Sequence, residues 1–294
     1  STNLDFQYTA PFWDGRTAIF PVVPPAGGSQ AAAAGELPAG AVSWGAGEGG
    51  TSAMALGMVR SGRAAVVDQH GKIFVQRTDD GTVERTVTPF PELQIGDVSI
   101  KDATIDPASG NVAILLDDRV SVIDVSTGRF VVRFRARGAT NIEFAGRRLF
   151  VQKDDGTLEV RSGSRARLER TLVGDPSYIW PPVPNPQGTV VARQRQNGQI
   201  VLVDADTGSA LGIVPANAGT AGAKIGVAFT PDGRHLVTVT DETTYQAGAV
   251  LLDRDLSQAA LIHSACVAAG STLSTAEWMR FVGSGTPLRG ICTS

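Results

Sequence analysis

Few residues that do chemistry stand at spacings that chemistry uses. The three histidines, His70, His235 and His263, have unlike neighbours, so a three-histidine metal site is not expected. Cys266 and Cys292 lack a Cys-x-x-Cys partner and a histidine cluster, which also argues against metal. Gly45-Ala-Gly-Glu-Gly-Gly50 satisfies G-x-G-x-x-G literally. A dinucleotide site needs those glycines between a strand and a helix, and the following "TSAMALGMV" leads into β-type sequence. No G-x-S-x-G, H-E-x-x-H or P-loop pattern occurs. Arg133, Arg135 and Arg137 alternate, as on the solvated face of a strand or in a phosphate-binding stripe. We therefore predict no catalytic residues, no metal and no cofactor.

What recurs is carboxylates in tight turns, and the turns themselves set the organisation of the chain. Gly15, Gly62, Gly110, Gly146, Gly188 and Gly233 lie 47, 48, 36, 42 and 45 residues apart. A period in the forties with β-type sequence inside each unit predicts a propeller. Ser99 to Gly138 is the clearest repeat. Ile100 to Ile105 alternates, Val112 to Leu116 is an apolar run fit for a buried strand, Val120 to Ile123 is a third strand and Phe130 to Phe134 a fourth. Asp204-Ala-Asp-Thr-Gly208 matches Asp124-Val-Ser-Thr-Gly128 at a distance of 80 residues, so the repeats keep register. The N-terminal unit is irregular: two strands flank Asp14-Gly15, and "PPAGGSQAAAAGELPAG" reads as a flexible insertion. The expected fold is all-β, a β-propeller of four-stranded blades, six by count and seven if a terminus completes another, with a short C-terminal helix. Residues 1–265 form the propeller and 266–294 a helical tail packed on it.

Composition agrees. With 42% hydrophobic residues, 19% charged, 34 glycines and 16 prolines among 294 residues, the chain reads as a turn-rich globule rather than a disordered one. The net charge of −3 offers no electrostatic reason for nucleic-acid binding. No stretch is apolar enough for membrane insertion, and the opening "STNLDFQYTAPFW" carries no basic leader. We expect a soluble module of a longer protein, monomeric in isolation.

Units of about 44 residues containing "FTPDGRHLVTV" and an Asp-x-x-Thr-Gly turn resemble WD40-type β-propellers. The Gly-His and Trp-Asp dipeptides of that family are absent, and the "VDADTG" style also resembles quinoprotein and YncE-like propellers. The segment Cys266 to Cys292, "CVAAGSTLSTAEWMRFVGSGTPLRGIC", is similar to the tail that follows the propeller in large actinobacterial STAND NTPase and kinase signalling proteins. That resemblance covers about a tenth of the chain. It implies a sensing or partner-binding role, with the enzymatic domain of such proteins lying upstream.

The tail has a physical logic of its own. Ser274 and Glu277 have capping-box spacing, with Leu273 and Trp278 placed as a hydrophobic staple. A helix from Thr275 to about Val282 is expected, stopped by Gly283, with Trp278, Met279 and Phe281 needing an apolar surface. Cys266 and Cys292 either form a disulfide, worth roughly 3 kcal/mol by loop entropy, or remain two buried thiols. A disulfide would favour an extracytoplasmic location, free thiols a cytoplasmic one.

If the WD40 strand order holds, the second-to-third strand turns share one rim. They carry Asp68, His70, Asp117, Asp118, Asp154, Asp155, Asn197, Asp241 and Glu242. Turn chemistry alone explains such residues; an acidic ring that steers a basic peptide or cation is the functional alternative. The partner-binding candidates are Asp118, Asp155, Tyr178, Trp180, Asp241, Glu242 and Tyr245. Tyr178 and Trp180 sit among prolines as interface anchors, although Trp180 also suits a first-strand core position. Tyr245 tops the long hairpin from Asp241 to Gly248. The expected function is a non-catalytic module for a protein or peptide partner, or for ligand sensing, in a bacterial signalling protein. A lactonase- or hydrolase-type propeller would need carboxylates and histidines converging in the channel. A secreted carbohydrate-binding propeller would need an exposed aromatic recurring in register.

Overall fold

The computed structural model describes residues 12–13, 17–22, 31–36, 39–45, 53–60, 62–79, 81–91, 100–106, 108–163, 165–178, 180–214, 225–240, 250–257, 260, 275–276 and 279. The fold is all-β. Two compact units divide the chain, Ser1–Gly174 and Asp175–Ser294.

The first unit holds four antiparallel sheets, each of four strands in consecutive order. They are β1 (Phe12–Trp13), β2 (Thr17–Val22), β3 (Ala31–Glu36) and β4 (Ala39–Gly45); β5 (Ala53–Arg60), β6 (Arg63–Asp68), β7 (Ile73–Arg77) and β8 (Val83–Val87); β9 (Asp102–Ile105), β10 (Asn111–Leu116), β11 (Arg119–Asp124) and β12 (Arg129–Arg135); and β13 (Ala139–Ala145), β14 (Arg148–Lys153), β15 (Leu158–Ser162) and β16 (Leu168–Leu172). The second unit holds β17 (Val183–Pro184), β18 (Val190–Gln194), β19 (Ile200–Asp204) and β20 (Ala210–Val214) in one sheet, and β21 (Ile225–Phe229), β22 (His235–Thr240) and β23 (Val250–Asp255) in another. Each sheet begins near one of the repeating glycines. Ala31–Glu36, expected as a flexible insertion, is instead a strand. It pairs along its length with Thr17–Val22 on one side and Ala39–Gly45 on the other, and those two ladders override the poor β propensity of an alanine-rich run.

From β5 to β16 in the first unit, and across the second, consecutive sheets meet face to face, which explains the apolar runs. Val112 and Ile114 of β10 join a core with Val67, Ile73 and Val75 of the preceding sheet. Ala113 and Leu115 point the other way and pack with Ile142, Leu149 and Val151 of the next. A strand buried on both faces has no polar alternation. In the second unit, Ala192, Ile200 and Leu202 form the corresponding core with Leu236, Val227 and Phe229. First strands lie side by side, β5 against β9, β9 against β13, and β17 against β21.

The turns follow their residues. Asp124 accepts the Ser126 N–H at 2.8 Å, and the Gly128 N–H returns to the Asp124 carbonyl at 2.7 Å. Asp204 accepts Asp206 N–H at 2.9 Å and Thr207 N–H at 2.7 Å, and Gly208 closes the same loop. Gly128 and Gly208 have φ of 74° and 77°, the left-handed conformation that glycine adopts without strain. All five four-stranded sheets also carry a register shift between third and fourth strands. One extra residue stands there on the outer strand, Glu84, Val131, Glu169 and Leu211 in the last four of these sheets. Such bulges twist an edge strand and blunt its capacity to pair with another chain.

Candidate functional site

The polar residues that stand out are on first strands, one sheet apart. β9 reads Asp102-Ala-Thr-Ile105 and β13 contains Asn141-Ile-Glu-Phe144. Alternation sends Ala103 and Ile105 into one core and Ile142 and Phe144 into the next, leaving Asp102, Thr104, Asn141 and Glu143 on the opposite sides. β9 and β13 belong to different sheets, so no backbone ladder joins them. Side chains do it instead. Asp102 Oδ2 accepts the Ile142 N–H at 2.8 Å while Oδ1 accepts the Ala103 N–H at 2.9 Å. Thr104 Oγ1 accepts the Phe144 N–H at 3.1 Å and donates to Glu143 Oε1 at 3.3 Å. Asn141 adds a side-chain bond to Asp102.

Electrostatically this seam favours protons. Burial pushes the Asp102 carboxyl up to about 7, against the pull of the bonds from Ile142, Ala103 and Asn141. Burial, reinforced by the Asp102 charge, pushes Glu143 up to about 8, against the bond from Thr104. Two such carboxyls titrate as a pair. Near neutrality the seam holds at least one proton.

The residues singled out in the sequence fall elsewhere. Asp118 is half-buried in the β10–β11 turn, 4.0 Å from Arg135 Nη2. Asp155 is exposed in the equivalent β14–β15 turn and accepts the Thr157 N–H at 2.8 Å. Its bonds to Thr157 hold its carboxyl below the usual range, so it is a charged tip. Asp68 is a turn former, taking the His70 and Lys72 N–H groups at 2.9 and 2.8 Å. In the second unit, Tyr178 is only 9% exposed, with Arg193 stacked 3.9 Å from its ring centre and Arg195 at 5.5 Å. Burial lowers Arg193 to about 10, opposed by Tyr178 and Asp175. Tyr178 is thus packed under arginines rather than displayed, and Trp180 is half-buried. Asp241, Glu242, Tyr245, Cys266 and Cys292 lie outside the described residues, as do Ser274, Glu277 and Trp278. Thr275, Ala276 and Met279 are helical. Met279 is 54% exposed.

The remaining chemistry is dispersed. The segment after the glycine-rich stretch is strand β5, not the helix that a dinucleotide site requires. His235 Nδ1 lies 2.9 Å from Asp253 Oδ1, and His70 Nε2 is 3.1 Å from Gln69 Nε2. Arg133 stacks on Phe130 at 3.5 Å and Arg135 faces Asp118, so these two arginines have partners. Among the described residues no group of three or more His, Cys, Asp or Glu is placed to hold a metal ion, and no helix is long and apolar enough to cross a membrane.

The seam residues were missed in the sequence, although a signal existed. Asp102-x-Thr104 and Asn141-x-Glu143 recur 39 residues apart, at the position of a first strand, where β21 has Ile-Gly-Val-Ala-Phe. Comparison with known proteins adds no identity: no protein-family model matches the chain, and no curated protein matches it.

Proposed function

We propose that the chain is a non-catalytic β-propeller module, its sheets stacked as WD40-like blades, that recognises a protein or peptide partner as the sensing part of a larger bacterial signalling protein. Face-to-face cores and side-by-side first strands within each unit support the propeller reading, because stacking neighbouring sheets is how such repeats bury their apolar faces. One observation carries the non-catalytic reading. Asp102 and Thr104 of β9 are engaged with backbone amides of β13, and Glu143 with the Thr104 hydroxyl, which supports a structural role for these groups. Recognition then falls to the turns, where Asp155 stays exposed and ionised.

The partner best suited to Asp118 and Asp155 is basic. Calorimetric titration of the full chain with a lysine-rich peptide and a glutamate-rich control tests this. The lysine-rich peptide is expected to bind in a salt-sensitive way. The Asp118→Asn, Asp155→Asn double variant should weaken it about fivefold, the effect of losing two exposed charge contacts. Unchanged affinity in that variant, and in a Glu242→Ala, Tyr245→Ala variant, would remove the turns as the site. Turnover of a lactone or ester that Glu143→Gln abolishes would instead support the hydrolase reading.

A further inference from the structure

We propose that the seam between β9 and β13 is a pH-operated latch, closed while at least one of Asp102 and Glu143 is protonated and loosened once both are ionised. The geometry makes the two carboxylates the joint itself. Asp102 holds the Ile142 N–H at 2.8 Å, and Thr104, which holds the Phe144 N–H at 3.1 Å, also donates to Glu143 at 3.3 Å. A second negative charge therefore arises among the hydrogen bonds that link these two first strands. Like charges on adjacent strands repel, and the desolvated seam weakens that repulsion little.

Nearby cations do not neutralise the pair. On β14, Lys153 Nζ is 2.5 Å from Glu159 and Arg148 Nε is 3.2 Å from Glu169. β10 has no ionisable residue between Asn111 and Leu116, and β5 has one, Arg60, at its last position. Lys101, beside Asp102, is exposed. Asp106, at the far end of β9, bonds Ala108 N–H at 2.9 Å. Register places the latch toward the turns that carry Asp118 and Asp155, since Asp102 pairs with Leu115 and Asn141 with Gln152. Opening it would alter the spacing of those turns, which makes recognition pH-dependent without any titration of the turns themselves.

Amide hydrogen exchange on the full chain between pH 6 and pH 9, corrected for intrinsic exchange, tests the latch separately from partner binding. In the wild type, protection of the Ile142 and Phe144 amides should fall at least about tenfold relative to that of Ile114, the equivalent of one pKa unit. Glu143→Gln, which leaves only Asp102 to ionise, should reduce the fall to roughly threefold, half of it on a free-energy scale. A wild type with constant protection, or a variant with the same fall, would overturn the proposal. Should the variant not fold, carbon-13 shifts of the wild-type carboxyls decide: titration of Asp102 and Glu143 near neutrality supports the latch, and titration of both near pH 4 overturns it.

Discussion

At the residue scale, Thr104 is the most exposed to test. Its hydroxyl serves two strands at once, as acceptor for Phe144 N–H and donor to Glu143, and it is buried. Thr104→Val preserves shape but leaves a buried amide and a half-buried carboxyl without that partner. Urea denaturation should show a loss of about 1–3 kcal/mol. The carboxyl pair sets the pH dependence. Because both folded values, about 7 and about 8, lie above the ordinary carboxylate range, the folded state binds more protons than the unfolded one. The contribution to stability is complete below about pH 4 and is lost as pH rises through neutrality toward 8. The urea midpoint of the wild type should therefore decline from pH 5 to pH 8.5, and that of Glu143→Gln should decline about half as much. These residues were illegible in sequence because an aspartate and a glutamate in a strand read as solvent-facing. Only the neighbouring sheet turns them inward. Tyr178 differs in cause: the proline-rich context suggests display, while the arginines that cover it come from β18, in the sheet that Tyr178 leads into, and from the residue that follows β18.

Elements were the most legible scale. β10, β11 and β12 fall within a residue or two of their expected bounds, because Asp-x-x-Thr-Gly and Pro-x-x-Gly turns are local chemistry that sequence states directly. β3 was not legible, since its stability comes from two neighbours rather than from its alanines. The outer-strand bulges were not legible either: a single extra residue leaves no compositional mark. Turn geometry supports a graded prediction. Gly128→Ala adds a methyl 3.3 Å from Val87 Cγ1 at φ 74°, whereas Gly62→Ala at φ 72° meets open space. Thermal unfolding should find a loss of roughly 1 kcal/mol for Gly62→Ala from the left-handed backbone alone, and a larger one for Gly128→Ala. Strand β15 provides a second. Glu159, 6% exposed, lies 2.5 Å from Lys153 Nζ and 2.6 Å from Arg161 Nη2. Burial works to raise its carboxyl, yet Lys153 and Arg161 together hold it low. Glu159→Ala leaves two cations facing each other and should cost about 2 kcal/mol in chemical denaturation, while Glu169→Ala, whose own side chain is far more exposed than that of Glu159, should cost under about 1 kcal/mol.

At the scale of the whole molecule, the proposed function divides labour: first strands hold sheets together, and turns are left to meet a partner. That division follows from the repeat. A first strand must bury one side in each of two cores, so whatever polar groups it carries end up between sheets, and only the connecting turns remain free to vary with function. It predicts that stability and recognition separate at a pH where the seam stays closed. The direct measurement is the dissociation constant of the lysine-rich peptide, taken at pH 6 and low salt for Thr104→Val and for the Asp118→Asn, Asp155→Asn variant, with a melting temperature for each. The account predicts a lowered melting temperature with wild-type affinity for Thr104→Val, and wild-type melting with about fivefold weaker binding for the turn variant. A Thr104→Val protein that remains folded but no longer binds, alongside a turn variant that binds normally, would contradict it.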